Sequence, residues 1–157
     1  MDNTLYLIIN DVRSTHNVGS LFRTADGMGV KKVFLTGYTP HPVDRFGRKD
    51  MRIAKVALGA EESLAWESGD IDTVITSLKE EGVTVVALEQ TPGAVSLAAY
   101  TAAGDTALIV GNEIDGVSET VCALADAVVE IPMKGKKESL NVSNAGAIAL
   151  FHFSNRS

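Results

Sequence analysis

The stretch TLYLIINDVRSTHNVGSLFRTADGMGVKKVFLT, residues 4–36, sets the fold. It begins with a short apolar, β-branched run at 4–9, ends with another at 31–36, and carries a helical pattern at 17–28 between them. Within that pattern Val18, Leu21, Phe22, Ala25 and Met28 form one stripe at about 100° per residue. The alternation continues with strands at 83–89, 106–111 and 127–132 and with helices at 50–58, 70–81, 118–125 and 142–154. Alternation of this kind predicts an α/β fold, a mostly parallel sheet with helices on both faces. A dinucleotide-binding reading would need G-x-G-x-x-G after the first strand, and NDVRSTHNVGS lacks it. No repeat, low-complexity tract or linker interrupts the chain, so residues 1–157 read as a single domain.

A chain of 157 residues can bury a core without staples. Hydrophobic residues make up 45% and charged residues 22%, which argues against disorder. The single cysteine, Cys122, excludes an internal disulfide and points to a reducing compartment. The N-terminus has no basic leader, and its apolar run from Leu5 to Ile9 is too short to span a membrane, so a cytoplasmic protein without a membrane partner is expected. His16, His41 and His152 show no metal-ligand spacing, so no metal is expected.

The net charge of −6 is unevenly spread. Residues 1–60 carry nine Lys/Arg against five Asp/Glu, residues 61–130 one against fourteen, and residues 131–157 four against one. Basic ends around an acidic middle leave nucleic acid open as a partner. The densest basic run, HPVDRFGRKDMRIAK at 41–55, holds Arg45, Arg48, Lys49, Arg52 and Lys55. It reads equally as a solvated face or as a phosphate contact. The loop from Gly37 to Lys49 is long for such a fold and is a candidate functional loop.

Arg23 interrupts an apolar helix pattern, and Gly19 lies four residues before it on the face opposite the stripe. Alone, Arg23 reads as a solvated arginine. A glycine in the first turn costs helix stability, so Gly19 is expected to mark the close approach of another backbone or a ligand. Ligands of open α/β sheets gather beyond the carboxyl ends of strands. Three such ends are followed here by polar or glycine-rich turns: EQTPG, GNEIDG and PMKGKKESLN.

Together with the opening stretch, these ends resemble the SpoU/TrmH family of RNA 2′-O-ribose methyltransferases, within the SPOUT superfamily. The first motif is matched by NVGSLFRTAD with Asn17, Gly19 and Arg23, and the second by IVGNEIDGVS with Gly111, Asn112, Glu113 and Gly116. The third is matched by IPMKGKKESLNVSNAGAIALF with Ile131, Pro132, Ser139, Leu140, Asn141 and Ser143. The resemblance implies a C-terminal deep trefoil knot, a feature no periodicity could yield. It also implies S-adenosylmethionine as cofactor, tRNA or rRNA as substrate and a homodimer as the working unit.

Carried over by position, Leu88, Gly111, Ile131, Ser139 and Leu140 would hold the cofactor, and Arg23, Asn17, Glu113, Ser139 and Asn141 would form the catalytic set. A guanidinium stays protonated in proteins, so Arg23 is assigned a cationic role, gripping a phosphate or the developing alkoxide, and the base is left open. Gly19 would leave room for the RNA backbone, and Glu113 would orient the arginine or meet the ribose. Bland alternatives stand beside these roles: Asn17 as a helix cap, Leu88 and Ile131 as strand core, Ser139 and Asn141 as caps of the last helix. Lys134, Lys136 and Lys137 would attract the RNA backbone. No added RNA-binding domain is expected. The alternative functions are a non-catalytic RNA-binding relative and a small-molecule-binding domain of flavodoxin-like type, which leaves the three motifs without a reason.

Overall fold

Residues Leu5–Asn10 form β1, and their side chains Leu7, Ile8 and Ile9 are wholly buried on alternating sides, as a central parallel strand requires. The protein is described by a computed structural model over residues 2–155. After β1 come α1 (Thr15–Gly27), β2 (Lys32–Thr36), α2 (Met51–Ala57), α3 (Ala60–Ser63) and β3 (Ala65–Gly69). Next are α4 (Ile71–Glu80), β4 (Thr84–Leu88), β5 (Val95–Ser96) with a 3-10 turn at Leu97–Ala99, and β6 (Thr106–Val110). The chain closes with α5 (Glu119–Leu124), β7 (Ala127–Glu130) and α6 (Val142–Ser154). The sheet runs β3-β2-β1-β6-β4-β7-β5, with parallel pairings throughout.

Helices cover both faces. On one, Leu7, Ile9, Leu108 and Val110 pack with Val18, Leu21 and Phe22 of α1, Ile53 of α2 and Leu150 and Phe153 of α6. On the other, Ile8, Val85, Ala87 and Ile109 pack with Val74, Ile75 and Leu78 of α4 and Val121 of α5. No helix among the described residues is long and apolar enough to cross a membrane, and no cluster of His, Cys, Asp or Glu among them could hold a metal.

Three elements have no clear signal in the sequence: α3, β3 and β5. Strand β3, AWESG, is exposed along most of its length and lies at the sheet edge. Its pairing with β2 is set by the ladder and by Lys32–Glu67 at 3.0 Å rather than by an alternating apolar pattern. Glu67 on that edge also discourages pairing with another strand.

Gly19 corrects one expectation. It is buried, and a Cβ there would stand 2.7 Å from the Ile53 carbonyl oxygen and 2.9 Å from the Val56 Cβ. The backbone it admits is therefore that of α2, not of RNA. The α1 stripe identifies the side facing the sheet, but α1 is packed by a second helix on another side.

Candidate active site

The carboxyl ends of β4, β6 and β7 lie side by side, because these strands neighbour one another in the sheet. The segments that follow them, with the first turn of α6, enclose one cleft. Leu88, Gly111, Ile131, Ser139 and Leu140, the five residues singled out for a cofactor, all line it. Val110, Val142 and Ala145 add apolar wall, while Glu89, Glu113, Asp115 and Glu130 supply carboxylates. Leu88 and Ile131 also pack against the α1-side core, so the strand-core reading and the cleft reading hold together.

The 111–117 loop is a closed unit. Asn112 and Gly116 exchange backbone hydrogen bonds at 3.1 and 2.9 Å, and the Asn112 side-chain oxygen accepts from the Ile114 and Asp115 N–H groups, both at 2.9 Å. A Cβ at position 111 would lie 2.4 Å from the Gly116 carbonyl oxygen, so the closure of this loop itself demands Gly111. Glu89 fastens the loop to the end of β4, accepting from Val117 N–H at 2.6 Å and from its neighbour Gln90 N–H at 2.9 Å. Glu89 has a single signal in the sequence, an acid directly after an apolar strand at the site end of the sheet.

Glu113 does not point at Arg23. Its carboxylate accepts the Arg13 N–H at 2.9 Å, the Ser14 N–H at 2.7 Å and the Asn17 side-chain amide at 3.2 Å, which places it at the start of α1. Partial burial pushes this carboxyl up, but the backbone donors of Arg13 and Ser14 outweigh it and hold the group below the ordinary value. Nor is Asn17 the cap. Ser14 caps α1 by accepting from Asn17 N–H at 3.1 Å, and the Asn17 side chain is buried within a polar chain. Its amide donates to Glu113, and its oxygen accepts from the Asn141 amide at 3.3 Å. Asn141 in turn caps α6, accepting from Ser143 N–H at 2.8 Å and Ser143 Oγ at 2.6 Å. Residues 96 and 124 positions distant from Asn17 thus meet it beside one cleft.

Arg23 stands apart. It is exposed on α1, about 9 Å along the axis from Asn17 at 1.5 Å per residue, and it is bonded to no partner among the described residues. Ser139 is exposed at the cleft mouth. Of the basic run, Arg48 pairs with Asp44 at 2.8 Å, Arg52 with Asp50 at 2.9 Å and Lys49 with Glu62, all on the surface, where such pairs contribute little. The loop carrying this run is tied to the cleft, since the Asn112 amide donates to the Tyr38 hydroxyl at 2.8 Å and to the Asp11 carbonyl at 2.9 Å.

The SpoU rRNA Methylase family model matches residues 4–151. Among curated proteins, the 23S rRNA (guanosine-2′-O-)-methyltransferase of Escherichia coli K12 is 32% identical over 154 residues, covering 96% of this chain and 60% of its own length. The enzyme of the same name from Neisseria meningitidis serogroup B is 31% identical over 147 residues, covering 93% and 56%. The chain thus spans a little over half the length of these curated relatives. Among solved structures, an AdoMet-bound rRNA methyltransferase from Sinorhizobium meliloti aligns with a TM-score of 0.87 at 26% identity, over 97% of this chain and 56% of that one. A TrmH/SpoU tRNA modifying enzyme of A. aeolicus gives 0.83 at 26% identity, over 98% and 75%.

Proposed function

This chain belongs to the SpoU rRNA Methylase family, and on that premise we propose that it transfers a methyl group from S-adenosylmethionine to a ribose 2′-hydroxyl of ribosomal RNA. The observation that carries the proposal is the polar chain Glu113–Asn17–Asn141, which brings three separate motifs to the edge of one cleft. The rRNA substrate class is supported by the curated relatives, both named for 23S rRNA.

The cleft suits the cofactor by its chemistry. Leu88, Ile131 and Leu140 offer apolar walls for an adenine ring and a thioether chain, backbone groups of the 111–117 loop offer polar edges, and the carboxylates favour a cationic ligand. When bound, S-adenosylmethionine supplies an electrophilic methyl, so the protein's work is alignment and charge management. Arg23, committed to no other group among the described residues, grips an RNA phosphate or the developing alkoxide. Asn17, Glu113 and Asn141 fix the start of α1 against that of α6. Ser139, at the mouth, meets substrate or cofactor.

The whole chain serves as one methyltransferase domain. A trefoil knot is supported by the strand order: β7 lies between β4 and β5, and β5 belongs to the excursion that leaves β4 and returns to β6. The chain leaving β7 then settles as α6 against α1 and the Leu97–Ala99 turn. A homodimer is supported by α6 itself, a helix apolar around most of its circumference that leaves Ile148 46% and Phe151 57% exposed. The setting is the cytoplasm, where the RNA is. Nucleoside mass spectrometry of rRNA and tRNA incubated with the protein and S-adenosylmethionine tests the reaction. The expected product is a 2′-O-methylnucleoside in rRNA; base methylation alone would refute the proposal, and ribose methylation confined to tRNA would replace the substrate.

A further inference from the structure

Between β2 and α2 the chain projects a loop far more tightly built than a connection requires. Val43 bridges Lys49 in antiparallel fashion, and Asp50 N–H donates to the Pro42 carbonyl at 2.9 Å. One Asp44 oxygen accepts from Phe46 N–H at 2.8 Å and Arg48 N–H at 2.9 Å, and the other accepts from Arg48 Nε at 2.8 Å. Gly47 turns the tip at φ +79°, in the left-handed region that favours glycine. All this order presents one side chain: Phe46, 65% exposed, with the guanidinium carbons of Arg45 and Arg48 at 4.7 and 5.0 Å from its ring centre.

A phenyl ring in water adds nothing to the core, so folding does not account for its display. Its surroundings do suggest a ligand. Tyr38 and Phe46 line a single open groove, and Tyr38 is the residue bonded to Asn112 at the cleft rim. Arg13 stands 5.7 Å over the Tyr38 ring, so both aromatic rings of the groove, the one beside the cleft and the one at the tip, have arginine at their faces. Flat π surfaces with cations beside them match the chemistry of an unpaired nucleotide, whose base offers a face and whose phosphate offers a charge. A duplex hides its base faces and could use only the cations.

We infer that Phe46, with Arg45 and Arg48, is a stacking platform for an unpaired base of the RNA, on the single strand that flanks the nucleotide held at the cleft. This rests on the RNA methyltransferase reading above. An incoming base takes a face of the ring, and the guanidinium it displaces turns to the adjoining phosphate. Phe46 is thereby a positioning residue for the substrate strand.

The test compares wild type, Phe46→Ala, Phe46→Leu and Phe46→Trp for binding to an unstructured twelve-nucleotide RNA and to a duplex of the same length. Wild-type methyl transfer to rRNA is measured alongside. Stacking of one base predicts a 10- to 100-fold loss of single-strand affinity in Phe46→Ala and Phe46→Leu, on the order reported for removing one base–aromatic contact. Duplex affinity should stay level, and Phe46→Trp should retain single-strand affinity with its indole fluorescence quenched by the strand. The salt dependence of binding should be unchanged in Phe46→Ala and shallower in Arg45→Ala. Single-strand affinity within twofold of wild type in Phe46→Ala, or equal losses for single strand and duplex, would overturn the platform. Wild type that binds the single strand in this pattern but transfers no methyl would overturn the catalytic reading and leave the platform standing; wild type that binds neither RNA would overturn the platform.

Discussion

Replacing Glu113 by glutamine should loosen the start of α1 in a way that pH reveals. The carboxylate holds the Arg13 and Ser14 N–H groups at 2.9 and 2.7 Å and the Asn17 amide at 3.2 Å. Glutamine has one accepting oxygen, and its amide group would face a donor. A hydrogen bond to a charged group contributes about 1.5–3 kcal/mol. With Glu113 only half-buried, and one bond recoverable by glutamine, the expected net loss is about 2 kcal/mol. For a domain of this size that lowers Tm by about 4–8 °C. The wild-type carboxyl lies below its ordinary value, so its contribution is complete above the unfolded pKa of about 4.3 and vanishes as pH falls through the folded value. Thermal unfolding followed by circular dichroism, at one fixed protein concentration, should therefore show a constant gap between wild type and Glu113→Gln from pH 6 to 8 that narrows progressively as pH falls below the unfolded pKa. Methyl transfer should fall about 10- to 100-fold at 25 °C with the variant still folded, because α1 carries Asn17 and Arg23 and small misplacements are costly. Equal melting at pH 7, or a gap that persists unchanged at pH 3.5, would refute the assignment of Glu113 to the helix start.

Arg23→Ala should keep the fold and cofactor affinity by calorimetry while single-turnover methyl transfer drops about 10²- to 10³-fold, and Arg23→Lys should also fail because a point charge lacks the planar fork. Near-normal turnover would return Arg23 to a solvated helix face. Gly19→Ala should lower Tm, since its Cβ would press on the Ile53 carbonyl, with an overpacking cost of about 1–3 kcal/mol partly offset by the better helix propensity of alanine. RNA affinity per folded molecule should be unchanged; a raised Tm with weakened RNA binding would show that the glycine serves the ligand after all.

The fold was legible where apolar pattern and burial coincide. The stripe on α1 is buried at Val18, Leu21, Phe22 and Ala25, and the central strands β1, β4 and β6 are the apolar runs themselves. It was illegible where an element owes its existence to a neighbour. Strand β3 is held by β2, and the two-residue β5 by β7, with no periodicity of their own to display. Gly19 shows a related limit: periodicity finds the side of a helix that meets the sheet, not the second side that meets another helix. At the site, motif spacing named the residues that line the cleft, but not their partners. Asn17 could be read as a cap because Ser14, three residues earlier, is an equally good one, and its actual partners lie about a hundred residues away. Contacts of that sequence separation leave no local trace.

An acidic cleft in a protein proposed to hold RNA needs a physical account, and the structure supplies it through where the carboxylates are engaged. Residues 61–130 hold fourteen acids against one base, and they furnish every carboxylate of the cleft. Two of these, Glu89 and Glu113, are already bound to backbone N–H groups at 2.6–2.9 Å, so part of their field is cancelled at the source. What remains favours a cationic ligand within the cleft. At physiological salt, fields from exposed charges fade over about 8 Å, so phosphates approaching along another surface are governed by the groups nearest to them. The Tyr38–Phe46 groove provides that surface, with Arg45 in no salt bridge among the described residues, while the segment after β7, whose Met133 and Ser139 line the cleft, carries the exposed Lys134, Lys136 and Lys137. Cation-seeking and phosphate-seeking chemistry can therefore meet at one site without cancelling each other, and the negative total charge sets solubility rather than substrate.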